Sequence, residues 1–202
     1  MCSYIGSGAF NSCGRLTTIS FPVCSYIGDW AFAVCSGLTT ISFSVCSYIG
    51  NSAFTYCKNL RIASFPKCSY IGYGAFYTCS NLGTVSFPVC SYIGSTAFEN
   101  CRFFSIDFPE CSYIGDRAFA YCYNLRIASF PKCNHIGGMA FYACSDLTTI
   151  YLDQTLSVCS LLYTDAFHAC SKLTSIYVPN SLVTAYKNHS KWKYYSNKII
   201  GI

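Results

Sequence analysis

Apolar and polar positions alternate over short stretches of this chain and then recur as a longer block. Residues 16–22, LTTISFP, alternate from Thr18 onward, as a strand with one buried face does. Ile19 and Phe21 are predicted to point inward, with Leu16 entering the core just ahead of them, while Thr18 and Ser20 face out. Pro22 has no N–H to give a ladder and ends the strand. After Cys24, Ile27 returns to the core and Gly28 permits a tight bend. Residues 29–35, DWAFAVC, read as one or two helical turns with Ala31, Phe32 and Cys35 facing inward. A few turn residues lead to the next strand at Leu38, and later strands are expected from Leu60, Leu82, Phe103, Leu125, Leu147 and Leu173.

The block returns eight times. Its first cysteines are Cys2, Cys24, Cys46, Cys68, Cys90, Cys111, Cys133 and Cys159, and a second follows each by eleven residues. Ala-Phe sits between every pair, from Ala9 and Phe10 to Ala166 and Phe167. A fixed period of this kind signals a coil of stacked rungs sharing one core. At a rung step of about 4.8 Å, eight rungs make a sheet roughly 40 Å long. The period is 22 residues with two departures: Cys90 to Cys111 is 21, and Cys133 to Cys159 is 26, lengthened by residues 153–157. Both changes fall in turns, where altered length is best tolerated. NLRIASFPKC occurs at 59–68 and again at 124–133, as though three rungs were copied together. The array is expected to span residues 1–178 and a C-terminal cap residues 179–202.

Stacking turns each rung position into a column. On the open sheet face one column runs Thr18, Thr40, Ile62, Thr84, Ser105, Ile127, Thr149 and Ser175. Its neighbour runs Ser20, Ser42, Ser64, Ser86, Asp107, Ser129, Tyr151 and Tyr177. The candidate ligand-binding positions are Thr18, Ser20, Thr40, Ser42, Arg61, Ile62, Thr84, Ser105, Asp107, Arg126, Ile127, Thr149, Tyr151 and Tyr177. The competing reading is that Ser and Thr only keep an open sheet face wet. A further column, Tyr4, Tyr26, Tyr48, Tyr70, Tyr92 and Tyr113 with His135 and Leu161 at its end, reads as a structural stack, with an aromatic binding strip as the alternative.

Chemistry beyond packing finds little support. Zinc sites want cysteines two to four residues apart, and no such pair occurs. Equivalent cysteines on adjacent rungs fall within the Cα window for disulfides, but their side chains point the same way. The sixteen cysteines therefore read as two columns of buried, reduced thiols behaving as small hydrophobes. His135, His168 and His189 lie in no recurring polar cluster, and no Gly-rich phosphate loop opens a helix. No catalytic residue, metal or cofactor is expected.

Composition narrows the class. Hydrophobic residues make up 52% and charged residues 10%, a balance that excludes disorder. No apolar run reaches the roughly 18 residues of a membrane span. The net charge is +5, but Lys187, Lys191, Lys193 and Lys198 supply most of it. No basic stripe follows the array, which argues against nucleic acid. These lysines read as a solvated outer face of the cap. Asn180 or Ser181 is expected to N-cap a helix there, with Leu182, Val183, Tyr186, Trp192 and Tyr195 covering the last rung. Met1 leads straight into a repeat without a signal peptide. Since such arrays normally begin with a capping element, further sequence is expected upstream. An uncapped first rung would expose a strand edge and invite end-to-end self-association.

The spacing LxxIxF followed by IGxxAFxxC, with a tail of Ile176, Tyr177, Val178, Pro179, Asn180, Ser181 and Leu182, resembles the BspA-like class of leucine-rich repeats. Tyr163 in place of the bend glycine and His135 in place of tyrosine are its departures from the rung pattern. The resemblance implies an α/β repeat solenoid: a right-handed leucine-rich-repeat coil with a parallel concave sheet, short helical turns on the convex side and a C-terminal helical cap. It also implies a nonenzymatic, extracellular or cell-surface bacterial protein that adheres to a host or neighbouring-cell protein or glycan through the concave face. The alternative is a structural spacer or stalk that displays other domains.

Overall fold

The computed structural model describes residues 2–153 and 157–202. Of the lengthened turn at 153–157, Gln154, Thr155 and Leu156 lie outside the described residues, as does Met1. The chain is a solenoid of parallel strands, and its rungs are tied together by three separate backbone ladders.

The first ladder is continuous. Eight two-residue strands pair in parallel, rung after rung: Tyr4–Ile5, Tyr26–Ile27, Tyr48–Ile49, Tyr70–Ile71, Tyr92–Ile93, Tyr113–Ile114, His135–Ile136 and Ser160–Leu161. The isoleucines are buried, and the tyrosine rings stack outside them at 4.6–4.9 Å. Glycine follows because the rungs close tightly here. A Cβ at Gly72 would lie 2.7 Å from the Gly50 carbonyl carbon and 2.8 Å from the Asn51 nitrogen, which no side chain tolerates. The Gly72 N–H instead donates to the Ile49 carbonyl at 2.9 Å.

Where the glycine is missing, the register slips. Ser160 pairs with His135, and Leu161 pairs with Ile136. The expected place of Leu161 at the end of the tyrosine column is thus corrected: it lies in the isoleucine column, 1% exposed. Leu162, not Tyr163, donates to the Ile136 carbonyl at 2.9 Å as the bend residue does. Tyr163 is the surplus residue, 58% exposed, and its ring covers Gly138, where a Cβ would meet it at 2.7 Å.

The second ladder joins Thr40–Ser42, Ile62–Ser64 and Thr84–Ser86 in one sheet. Ser105–Asp107, Ile127–Ser129, Thr149–Tyr151, Ser175–Val178 and Ile199–Gly201 form another. Residues 16–21, expected to be the first strand, form none; Leu16, Ile19 and Phe21 pack against the core but are only partly buried.

The third ladder runs through the segments read as convex helical turns. These are chained single turns: Ala31 donates to Gly28, Ala33 to Trp30 and Cys35 to Phe32, at 3.1–3.3 Å. Between them Trp30, Phe32 and Val34 donate to Asn51, Ala53 and Thr55 of the next rung at 2.8–2.9 Å. Turning alternate N–H groups along the axis requires left-handed residues, and Trp30 (φ 58°) and Val34 (φ 59°) supply them.

Two phenylalanine columns fill the centre. Phe32, Phe54 and Phe76 stack at 5.2 Å, as do Phe43, Phe65 and Phe87 at 5.3 Å. The two columns meet edge to face, as Phe65 does Phe76 at 6.2 Å, the geometry the ring quadrupole favours. Every cysteine from Cys24 to Cys170 is buried, but Cys2 and Cys13 are exposed, because no earlier rung covers them, which corrects the expectation of sixteen buried thiols. The second cysteines are more than small hydrophobes, because each thiol reaches a phenylalanine carbonyl one rung back: Cys57 donates to Phe32, Cys79 to Phe54 and Cys144 to Phe119, all at 3.1 Å.

Beyond the array, a 3-10 turn at Asn180–Leu182, a helix at Val183–Asn188 and a 3-10 segment at Trp192–Lys198 lead into the last strand. Tyr186 and Trp192 are fully buried. The Trp192 indole donates to the Cys159 carbonyl at 2.6 Å, and the Tyr186 hydroxyl accepts from the Cys159 N–H at 2.9 Å. Neither Asn180 nor Ser181 caps the helix: its N-cap is Leu182, with no side-chain bond, because the preceding 3-10 turn already leads into it. Nor are all four lysines solvated. Lys191 Nζ donates to the Leu161 and Leu162 carbonyls at 2.9 and 2.6 Å, and Lys198 Nζ donates to that of Leu173.

Candidate functional site

The open face of the second ladder carries the predicted columns in register. Thr40, Ile62 and Thr84 align, as do Ser105, Ile127, Thr149 and Ser175. Ser42, Ser64 and Ser86 form the neighbouring column, continued by Asp107, Ser129, Tyr151 and Tyr177. Thr18 and Ser20 are exposed but belong to no strand. Thr149, Tyr151 and Tyr177 are half-buried at the other end, with the two tyrosine rings stacked at 4.9 Å.

The face is not continuous. In most rungs the leucine that opens the strand donates to the second cysteine three residues back, as Leu82 does to Cys79 at 2.8 Å and Leu125 to Cys122 at 3.0 Å. The 21-residue rung has only Arg102 between Cys101 and Phe103, so that closing bond cannot form. The strand it feeds is then out of step. Phe43 and Phe65 donate to Ser64 and Ser86 of the next rung, and Phe108 and Phe130 donate likewise to Ser129 and Tyr151. Among the described residues no corresponding bond leaves Phe87, and none joins Phe104 to Gly83. The ring spacing widens to 5.9 Å between Phe87 and Phe108.

A cleft of 510 Å³ opens at this break, lined by Arg61, Ile62, Asn81, Gly83, Thr84, Arg102 and Phe104. The duplicated segment sets an Arg-Ile pair one rung beyond each lip: Arg61 and Ile62 on one side, Arg126 and Ile127 on the other. Ile62 (42%), Phe104 (55%) and Ile127 (44%) are all well exposed. The ion pairs among the described residues are Glu99–Arg117, Glu110–Lys132 and Asp146–Lys172, so Arg61, Arg102 and Arg126 carry unpaired positive charge. Arg126 acts at a distance on Asp146, whose carboxyl is held below its ordinary value first by the Lys172 bond and then by these charges. Of the predicted positions, Arg61, Ile62 and Thr84 thus meet in one cleft, with Ser105, Arg126 and Ile127 beyond its far lip. Asn81, Arg102 and Phe104 escaped sequence reading. Their one signal was the missing residue beside them.

The deeply buried thiols are poor nucleophiles. Burial pushes Cys46, Cys57 and Cys90 up to about 12, and Cys79 and Cys101 are raised further; a thiol that stays protonated is inert. The imidazole of His135 stacks flat on Tyr113 at 4.5 Å with Nε2 buried and unpartnered. Burial lowers its pKa. Glu99 is buried and bound through both oxygens by Arg117, at 2.8 and 3.2 Å; the bond raises the guanidinium above its ordinary value. Among the described residues no group of three or more His, Cys, Asp or Glu could hold a metal ion. No helix among them is long and apolar enough to cross a membrane.

Three solved structures are similar to this chain. A leucine rich cell surface protein from Faecalibacterium prausnitzii A2-165 is 17% identical, with a TM-score of 0.39 over 97% of this chain and 72% of that one. A leucine-rich repeat protein from Bacteroides ovatus ATCC 8483 is also 17% identical, at a TM-score of 0.39 over 99% and 81%. The pneumococcal vaccine antigen PcpA is 14% identical, at 0.31 over 99% and 84%. No curated protein matches. The family profile described as "BspA type Leucine rich repeat region (6 copies)" matches residues 1–102 and 91–191. With the periodic Ile, Ala-Phe and Cys columns built into a parallel coil, the chain belongs to the BspA-type leucine-rich repeat family.

Proposed function

We propose that this is a nonenzymatic, extracellular or cell-surface adhesion protein that binds a partner protein on the open face of the second ladder. The observation that carries the reading is the cleft at the broken ladder, where the unpaired Arg61 and Arg102 stand beside the exposed side chains of Ile62 and Phe104, with Arg126 and exposed Ile127 beyond its far lip. Elsewhere that face is lined largely by Ser and Thr. Apolar anchors ringed by charge are the anatomy of a protein interface, and arginine selects carboxylates by geometry as well as charge. The partner is accordingly a protein segment that offers acidic groups beside apolar ones. Beads coated with the protein and presented to cultured epithelial cells, and to other bacteria, test this. Saturable attachment is expected, weakened by salt and lost when Arg61 and Arg126 become Glu and Ile62 and Ile127 become Ser. Attachment that survives all four changes would mark the array as a spacer.

A further inference from the structure

A second surface lies on the turn side of the coil, away from the Arg-Ile cleft. Trp30, Tyr56, Tyr73 and Tyr77 surround a pocket of 310 Å³ with Ser52, Thr55, Gly74 and Thr96. Through Tyr77 it continues into a neighbouring hollow of 250 Å³ lined by Thr78, Glu99, Asn100, Tyr121 and Tyr123. Trp30 to Tyr121 spans four rung steps, or about 20 Å.

These rings are not required by the repeat. The position of Trp30 is held in other rungs by Gly8, Ser52, Gly74, Thr96, Arg117 and Met139. That of Tyr73 is held by Ser7, Asp29, Asn51, Ser95, Asp116 and Gly138. The tyrosine stack of the first ladder recurs rung after rung and is accounted for by stacking, whereas these aromatics come from several columns, only Tyr56 and Tyr121 sharing one, and line one continuous groove. Three of them occupy left-handed backbone: Trp30 at φ 58°, Tyr56 at 58° and Tyr121 at 59°. Glycine adopts that conformation freely, whereas a bulky residue does so at a cost. The same conformation recurs at Val34, Thr78, Arg117 and Ala143, so it belongs to the coil, and what is particular to this groove is the bulk placed on it.

The pocket floor is built from hydroxyls. A Cβ on Gly74 would lie 3.4 Å from Ser52 Oγ and 3.5 Å from Thr96 Oγ1, so the two converge on the space that glycine leaves open. Among the described residues neither hydroxyl bonds to another protein group, whereas Thr55 Oγ1 is committed to the Tyr77 carbonyl at 3.3 Å. Tyr56 and Tyr77 meet edge to face at 5.5 Å, an 88° angle that fixes one ring against the other. In the adjoining hollow the Glu99 carboxylate is held by Arg117, whose guanidinium lies 5.5 Å from the Tyr121 ring centre. No aliphatic side chain longer than that of threonine lines either hollow.

We propose that this groove binds a neutral oligosaccharide. A sugar ring offers an apolar C–H face to lie on an aromatic side chain and an equatorial rim of hydroxyls. The groove matches both, with ring faces for the first and Ser52, Thr96, Asn100 and Glu99 for the second. A protein-binding patch would be expected to bring aliphatic side chains, which this lining lacks. A site of this volume falls at the lower end of the roughly 300–1,000 Å³ of small-molecule pockets, and its continuation suits a chain of sugars better than a single one.

The test titrates the whole protein with maltohexaose, cellohexaose, xylohexaose and chitohexaose by isothermal calorimetry, following tryptophan emission in parallel. Trp192 is fully buried and Trp30 is 51% exposed, so an emission change reports Trp30. Saturable binding of at least one hexasaccharide with a blue shift is expected. Trp30→Gly removes a ring where glycine is the easier residue, and Gly74→Asn fills the floor with a residue that tolerates left-handed backbone. Each should weaken binding at least about tenfold, or 1.4 kcal/mol, with circular dichroism and Tm little changed. Arg61→Glu with Arg126→Glu should leave sugar binding intact, which separates this site from the protein-binding face. No saturable binding of any of the four sugars, or binding indifferent to both groove substitutions, would overturn the proposal.

Discussion

Two faces of the same coil handle irregularity in opposite ways. The first ladder runs through eight strands without a gap, absorbing even the loss of its bend glycine by slipping one residue at Leu161. The second, built from longer strands, breaks in two where a single turn residue is missing. The difference lies in what closes each rung. On the first face a glycine column lets backbone approach backbone directly, and the slipped residue is expelled as exposed Tyr163. On the second face each strand is placed by a turn whose bond from leucine to cysteine needs its full length. When that turn is shortened at Arg102, the error passes into the strand and the ladder parts. The rigid face is packing, and the interrupted face gains a cleft.

Glycine substitution is where this contrast should be largest. Gly72→Ala forces a Cβ into the Gly50 and Asn51 backbone at 2.7–2.8 Å and against Asn51 Oδ1 at 2.9 Å, and the backbone atoms cannot swing aside. A loss of about 3 kcal/mol is expected, the upper part of the usual overpacking range. Gly83→Ala, at the break, meets nothing nearer than the Arg102 carbonyl oxygen at 3.4 Å and should change stability by less than about 1 kcal/mol. Urea unfolding of both variants measures the difference. Equal losses would mean that the two faces are equally tight.

Inserting one Asn between Arg102 and Phe103 sharpens the comparison from the other side. Asn59 and Asn81 at equivalent turns donate to the Ser36 and Lys58 carbonyls of the preceding rung at 2.8 Å. The insertion restores the 22-residue period, and with it the closing bond and the cross-rung bond from Phe87. At roughly 0.5–1.5 kcal/mol net per hydrogen bond, stability should rise by about 1–2 kcal/mol, and exchange of the Phe87 and Phe104 amides should slow. The cleft should close, and attachment through that face should fall with it. Unchanged amide exchange would show that the shortened turn is not what parts the sheet.

Much of the architecture was legible because packing repeats. Ile27, Phe32 and Cys35 recur at fixed spacing, and whatever recurs on every rung has to face the shared core. The sheet break was not legible. A deletion in a turn reads as tolerable, and only the hydrogen bonds show that this turn sets the register of the strand after it. Nor was the slip at Leu161, since Tyr163 bulges outward and keeps the two cysteines eleven residues apart. The left-handed residues carry no compositional signature, with Trp30, Val34 and Arg117 among them, because the demand comes from where their N–H groups must point. The aromatic groove escaped for the opposite reason to the core: its rings come from several columns and several rungs, and periodicity is blind to what does not repeat.

The smallest expected effect tests whether the continuous face is packing throughout. His135 takes a tyrosine's place in the stack, lying 4.5 Å from Tyr113 with Nε2 buried and unpartnered. Burial lowers its pKa, opposed by Asp116 and reinforced by Lys191. The unfolded chain therefore binds a proton more readily than the folded one. Stability should be full above the ordinary histidine value of about 6.5 and be lost as pH falls through the lower folded value. His135→Tyr replaces the titrating ring with the one the column otherwise uses. It should add about 0.5–1 kcal/mol of stacking near neutral pH and flatten the dependence of Tm on pH between 7 and 5. A variant with the same acid sensitivity as the parent would assign that sensitivity to another group, and a variant less stable at neutral pH would mean that the column tolerates tyrosine only where the next rung also supplies one.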